Sequence, residues 1–188
     1  LMNIYSDEMK KWNLFGTSSK EILPKLGQGK PLAGFLANLN IDEYQKLWKE
    51  YYPDGIINQI MDMDLGPEFE AQIPPELAAI EATLMKDGLK SFFGGEIGMM
   101  LYNMPNKSIN PEMSIYMNIG SNLKAIIDDI GIPDIPGGDL NIEIKDDHIS
   151  MHSKNNTPDG KGPELSGKFS NFGKAPISAF LDLAQIPT

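Results

Sequence analysis

The two histidines of the chain, His148 and His152, stand beside Asp146 and Asp147, with Ser150 between them. Two imidazoles four residues apart share one face of a helix and can hold a zinc ion there. Around this pair, however, Ile142, Ile144, Ile149 and Met151 recur at alternate positions, which is the period of a strand. On a strand four residues span about 13 Å, too far for one ion that must sit about 2.1 Å from each ring nitrogen. The expectation is a hairpin with both histidines on its outward, wet face, Ile149 and Met151 inward, and no metal. Ser150 lacks the G-x-S-x-G elbow that exposes a serine nucleophile, and that elbow occurs nowhere in the chain.

Two acidic loops have the look of calcium ligand sets. In the first, Asp62, Asp64 and Glu68 supply carboxylates, but Gly66 falls one position early for an EF-hand loop. In the second, Asn155, Thr157, Asp159 and Gly160 are well placed, but Ser166 stands where a bidentate Glu belongs. Both read as solvated turns. With 26 Asp and Glu in the chain, carboxylate pairs of the kind that hydrolyse glycosides are bound to arise, so their presence singles out nothing. Tyr44, Trp48 and Tyr51 could form a sugar platform with Trp12 and Tyr52, yet their spacing with Leu47 is that of a helix stripe packed into a core. Tyr52 lies off the stripe and is the exposed candidate. No residue is assigned a catalytic, cofactor-binding or metal-binding role, and no cofactor is expected.

The elements that position these groups change character halfway along the chain. Short helices are expected over residues 7–15 and 19–26, followed by a buried strand over 32–39 between Gly and Pro breakers. Ile41, Tyr44, Leu47, Trp48 and Tyr51 mark a helix that Asn40 or Asp42 can cap and that Pro53-Asp54-Gly55 ends. Ile56, Ile57, Ile60 and Met61 are expected to begin another short helix, and a further helix is expected over residues 76–92. Strands follow over 96–104 and 112–120, joined by a hairpin connection at 105–111, then a helix over 121–130. After a GIPDIPGG loop come the histidine hairpin, a polar stretch over 155–163, and strands over 165–172 and 176–183. Alternation in the second strand would bury Met113, Ile115, Met117 and Ile119, and the chain's methionines, Met99 and Met151 among them, fall mainly on such inward positions. Early helices and late hairpins predict an α+β fold, an antiparallel sheet with helices packed mainly on one face.

Composition excludes several classes of function. The chain has 188 residues and a formal net charge of −10, a field that repels nucleic acid. All 16 of its basic residues are Lys, so there is no arginine fork for phosphate. No G-x-x-x-x-G-K-[ST] loop is present. Cys is absent, which removes disulfides, thiol nucleophiles and thiolate metal sites. No run of 18 apolar residues occurs, so no membrane-spanning helix is expected. Beginning at Leu1, without Met or a signal segment, the chain suits a mature extracytoplasmic protein.

Residues 31–41 (PLAGFLANLNI) and 176–186 (PISAFLDLAQI) match at Pro31 and Pro176, Phe35 and Phe180, Leu36 and Leu181, and Ile41 and Ile186. This divides the chain into an N-terminal helical segment (1–30), an α+β unit (31–175) and a closing strand or the start of a second repeat (176–188). If the two copies are equivalent, both should be strands, with Phe35 and Phe180 facing apolar neighbours. A strand over 35–40 leading into a helix, an amphipathic helix pair, FFGGEIGMML at 92–101 and AFLDL at 179–183 together resemble a family of large secreted lipoproteins of unknown function from Bacteroides-type gut bacteria. The resemblance covers about residues 30–188. It implies a lipid-anchored Cys upstream of Leu1 and placement in the periplasm or on the outer-membrane surface, and it carries over no catalytic residue.

The expected function is therefore a non-enzymatic extracytoplasmic binding or structural module of a larger cell-envelope lipoprotein, with a protein or glycan partner and weak self-association. Membrane association would come only through the anchor. The alternative is a cell-envelope hydrolase using a carboxylate pair that the sequence does not identify. A deep pocket lined by carboxylates with raised pKa would favour the hydrolase.

Overall fold

The computed structural model describes residues 12–61, 74–103, 112–131 and 140–185. Six strands, β1 (Ala33–Asn38), β2 (Phe93–Leu101), β3 (Met113–Ile119), β4 (Leu140–Ile144), β5 (His148–Ser153) and β6 (Ile177–Leu181), form one sheet. Its order is β4-β5-β3-β2-β1-β6, with every neighbouring pair antiparallel. Among the described residues four helices, α1 (Ile41–Tyr51), α2 (Ile56–Met61), α3 (Pro75–Asp87) and α4 (Ser121–Ile130), complete an α+β fold. None of them is long and apolar enough to cross a membrane, among the described residues.

The helices follow their sequence signals. In α1 the stripe runs from buried Ile41 through half-buried Tyr44, Leu47 and Trp48 to Tyr51, which is 51% exposed. The start of α2 is capped from another helix: the Glu81 carboxylate of α3 accepts the Ile56 N–H at 2.5 Å and the Ile57 N–H at 3.0 Å. Pro75 stands in the first turn of α3, where its missing N–H costs no hydrogen bond. The helix expected over 76–92 stops at Gly88, whose φ of 82° ends it, and a 3-10 turn at Leu89–Ser91 then leads into β2. That turn anchors α1, because the Leu89 N–H donates to Gln45 and Lys90 Nζ meets Asp42 at 2.7 Å.

Two more expectations are corrected. The 19–26 helix is a 3-10 helix, Lys20–Lys25, containing Pro24; Ser19 does not cap it, and instead donates its hydroxyl to the Ala175 carbonyl at 2.8 Å. Residues 165–172 form no strand but a 3-10 turn, Gly167–Phe169, with its flanks. Their apolar residues, Leu165, Phe169 and Phe172, are spaced four and three apart and all reach the core, a helical spacing rather than an alternating one. The acidic loop around Asp62 to Glu68, the 105–111 connection, most of GIPDIPGG and most of the 7–15 segment lie outside the described residues.

The two similar segments both contain strands, and they lie side by side: Ala33 is opposite Leu181 and Ala37 opposite Ile177. Phe35 pairs with Ala179 while Phe180 pairs with Gly34, so the matching phenylalanines point to opposite faces of the sheet.

The largest correction concerns which face is covered. His148, Ser150 and His152 share a face with Leu36, Gly98, Met100, Ser114, Tyr116 and Phe180. This is the core side. Ile22 of the Lys20–Lys25 helix, Leu26 just after it, and Phe172 pack there against Leu36, Met100 and Tyr116. They can do so because the strands offer small residues beneath them. A Cβ on Gly98 would lie 2.6 Å from Ile22, and one on Gly34 only 2.5 Å from Phe180. The histidines expected on the wet face are therefore half-buried (His148) and buried (His152). Their alternating partners, Ile149 and Met151, sit half-exposed on the opposite face.

Candidate functional site

The histidine side of the hairpin holds a polar recess of about 280 Å³. Tyr116 of β3 and His148 and Ser150 of β5 line it, together with Lys25, Asn118, Glu143, Lys145, Asp147 and Pro158. The His148 and Tyr116 rings stand 5.3 Å apart, and His148 Nδ1 is 2.7 Å from the Asp147 carboxylate. That hydrogen bond is the main reason the Asp147 carboxyl lies below the usual carboxylate range. Lys25 donates to Glu96 and, at 3.1 Å, to the Tyr116 hydroxyl. Burial alone would lower the pKa of this ammonium, but the hydrogen bonds to Glu96 and Tyr116 outweigh it and raise it.

His152 is four strand positions from His148, opposite Ser114, and is not part of this recess. Its ring Nδ1 is buried and without a hydrogen-bond partner. No group of three metal-ligating side chains occurs among the described residues. In the second calcium-like loop, Asp159 accepts the Lys161 N–H at 2.9 Å and Thr157 donates to the Lys154 carbonyl at 3.1 Å, so both side chains shape the turn itself. Of the aromatic platform, Tyr52 packs on Trp48 with ring centres 5.4 Å apart, and Tyr51 is the exposed member.

A second recess, about 300 Å³, lies where β6 ends. There the Asp182 carboxylate accepts from Gln185 Nε2 at 3.0 Å, Lys168 Nζ at 2.5 Å and the Ala184 N–H at 3.2 Å. Led by the Gln185 bond and then the Lys168 one, these contacts hold this carboxyl below the usual aspartate range. The sign follows: an unfolded carboxyl takes up its proton first as pH falls, so the stabilisation is present above the unfolded pKa and is lost as pH falls through the folded one. Urea midpoints measured from pH 5 to pH 2 should therefore decline, and Asp182→Asn should flatten the decline. An unchanged slope in that variant would remove Asp182 as a cause.

The opposite face of the sheet carries an apolar groove of about 380 Å³. Its floor is Ile97 of β2, Ile115 and Met117 of β3, Ile149 and Met151 of β5 and Ile142 and Ile144 of β4, and Ile127 of α4 and Gly131 form a wall. No lining side chain can donate or accept a strong hydrogen bond. Beyond the groove the same face continues across β2 and β6 through Met99, Ile177 and Leu181, which are 45%, 44% and 54% exposed. Such breadth of exposed aliphatic surface marks a contact surface rather than ordinary solvent-facing structure.

Alternation identified these residues as a set but predicted them to be core. The signal that could have found the groove was the small, polar character of the other face, which leaves room for a covering layer from outside the sheet. The Lys25–Glu96–Tyr116 cluster had no local sequence signal, because its members come from three separate segments. Comparison of the chain with protein families, curated proteins and solved structures finds no match.

Proposed function

We propose that this chain is a non-enzymatic binding module, a unit of a larger cell-envelope lipoprotein acting outside the cytoplasm, and that its ligand is an unbranched aliphatic chain. The observation that carries the reading is the groove between α4 and the Ile/Met face, of a size that suits a small ligand and lined without a polar side chain. A glycan would leave its hydroxyls unpaired there, which argues for hydrocarbon over sugar. The hydrolase reading has less support. Among the described residues, the carboxyls with displaced titration, Asp147 and Asp182, are moved down, whereas a general acid needs its pKa raised.

The test is a fluorescence titration with Nile red, a neutral dye that the acidic chain does not repel, followed by displacement with n-alkyl maltosides of increasing chain length. Each buried methylene contributes about 0.8 kcal/mol, so affinity should rise roughly tenfold for every two methylenes until the groove is full. Met117→Lys should abolish dye binding while leaving the far-ultraviolet circular dichroism unchanged. Displacement by free maltose, or an affinity independent of alkyl length, would overturn the assignment.

A further inference from the structure

We propose that β6 is a homodimer edge, at which two copies of this chain pair antiparallel about a two-fold axis through Ala179. The two bonds at the ends of the β1–β6 ladder set its pattern: Asn38 N–H to the Pro176 carbonyl and Asp182 N–H to the Leu32 carbonyl, both 2.7 Å. With Gly34 opposite Phe180, the residues of this stretch bonded to β1 are thus Pro176, Ser178, Phe180 and Asp182. The N–H and C=O groups of Ile177, Ala179 and Leu181 therefore point away from the sheet, along its free edge. No hydrogen bond among the described backbone groups takes them up.

Natural edge strands are blunted by charge, proline or a bulge. The other edge, β4, carries Glu143 and runs into Lys145, Asp146 and Asp147. By contrast, β6 reads Ile-Ser-Ala-Phe-Leu, without any of these devices, in a chain of net charge −10. An uncharged edge in so acidic a protein is where two copies can approach without strong repulsion.

The order of its residues selects a second copy over an unrelated strand. The outward set is Ile177, Ala179, Leu181, a small residue flanked by two large aliphatic ones. Reversed on itself, it places Ala179 against Ala179 of the second copy and Ile177 against its Leu181, so small meets small at the axis and large meets large on either side. All three side chains lie on one face of the sheet, and all are exposed in the single chain. A two-fold contact of this kind is closed and stops at two copies. It does not depend on what occupies the aliphatic groove.

Two measurements decide it. Because the chain has no Cys, Ala179→Cys introduces a single thiol. In the proposed pair the two Cα atoms at 179 stand about 5.5 Å apart, within disulfide range. Mild oxidation should give a covalent species of twice the 20.8 kDa chain mass, reversed by reductant. Asn141→Cys, on the exposed side of β4, should not cross-link. Separately, Ala179→Pro removes an outward N–H without breaking a bond to β1, so its monomer should fold and sediment as a monomer at concentrations where the unaltered chain is a dimer. Should the proline variant fail to fold, the cysteine pair still decides. Sedimentation of the unaltered chain as a monomer up to millimolar concentration would overturn the proposal. So would equal cross-linking at 141, a dimer that survives Ala179→Pro, or growth into larger assemblies.

Discussion

Gly27→Ala should destabilise the chain by about 3 kcal/mol, a large effect for a single methyl group. At this position the chain crosses the 3-10 turn Lys154–Asn156 so closely that a Cβ would sit 1.8 Å from the Asn156 carbonyl oxygen. The obstacle is backbone, which cannot rotate aside as a side chain would. Both polar groups of Gly27 are also engaged: its N–H donates to Ser114 Oγ at 2.8 Å, and its carbonyl accepts the Tyr102 hydroxyl. Any retreat of residue 27 therefore strains a contact to β3 and another to the end of β2. Gly167→Ala is the control, since a Cβ there meets nothing within 4 Å, and its cost should stay within about 0.5 kcal/mol. Urea unfolding of the two variants at one pH reads the difference directly, and equal midpoints would mean that the crossing is not tight in solution.

Leu36→Ala should cost about 4 kcal/mol by removing the centre of the core. Leu36 is fully buried in β1 and packs in one cluster with Ile22, Leu26, Met100, Tyr116 and Phe172. Those neighbours come from several elements, so they are not free to close together over the space left behind. The denaturant slope should stay unchanged while the midpoint falls, because the variant and the parent chain expose nearly the same area of surface on unfolding. A loss below about 1 kcal/mol would show that the cluster collapses into the gap.

What the sequence disclosed depended on how each residue was held. The α1 stripe and the 148–153 strand were legible because their periods are local and each was supported by turn residues at its ends. Period two, however, sorts residues into two sets without saying which set faces inward. Ser114, Ser150 and Gly98 look like a solvent face, yet all three lie on the core side, where Ile22 and Leu26 rest on Gly98 from more than 70 positions away. Phe169 and Phe172 were hidden differently: their segment is too short and too rich in glycine to announce a helical period. The polar recess was only half legible. His148 and Asp147 are adjacent in the chain, but Lys25 reaches Tyr116 across 91 positions, a distance no motif spans.

The pairing of β6 with β1 also bears on how the chain reaches its folded state. Gln185 bonds the Pro31 carbonyl across 154 positions, and Ser19 meets Ala175 across 156. Contacts this remote carry a large loop-closure entropy and form slowly, after the hairpins β2–β3 and β4–β5 have had time to assemble. Until the final strand arrives, β1 is itself the raw margin of the sheet, and Phe180 is missing from above Gly34. During synthesis β6 is the last of the described strands to emerge, so until it does the sheet is an unfinished five-stranded intermediate, open to mispairing.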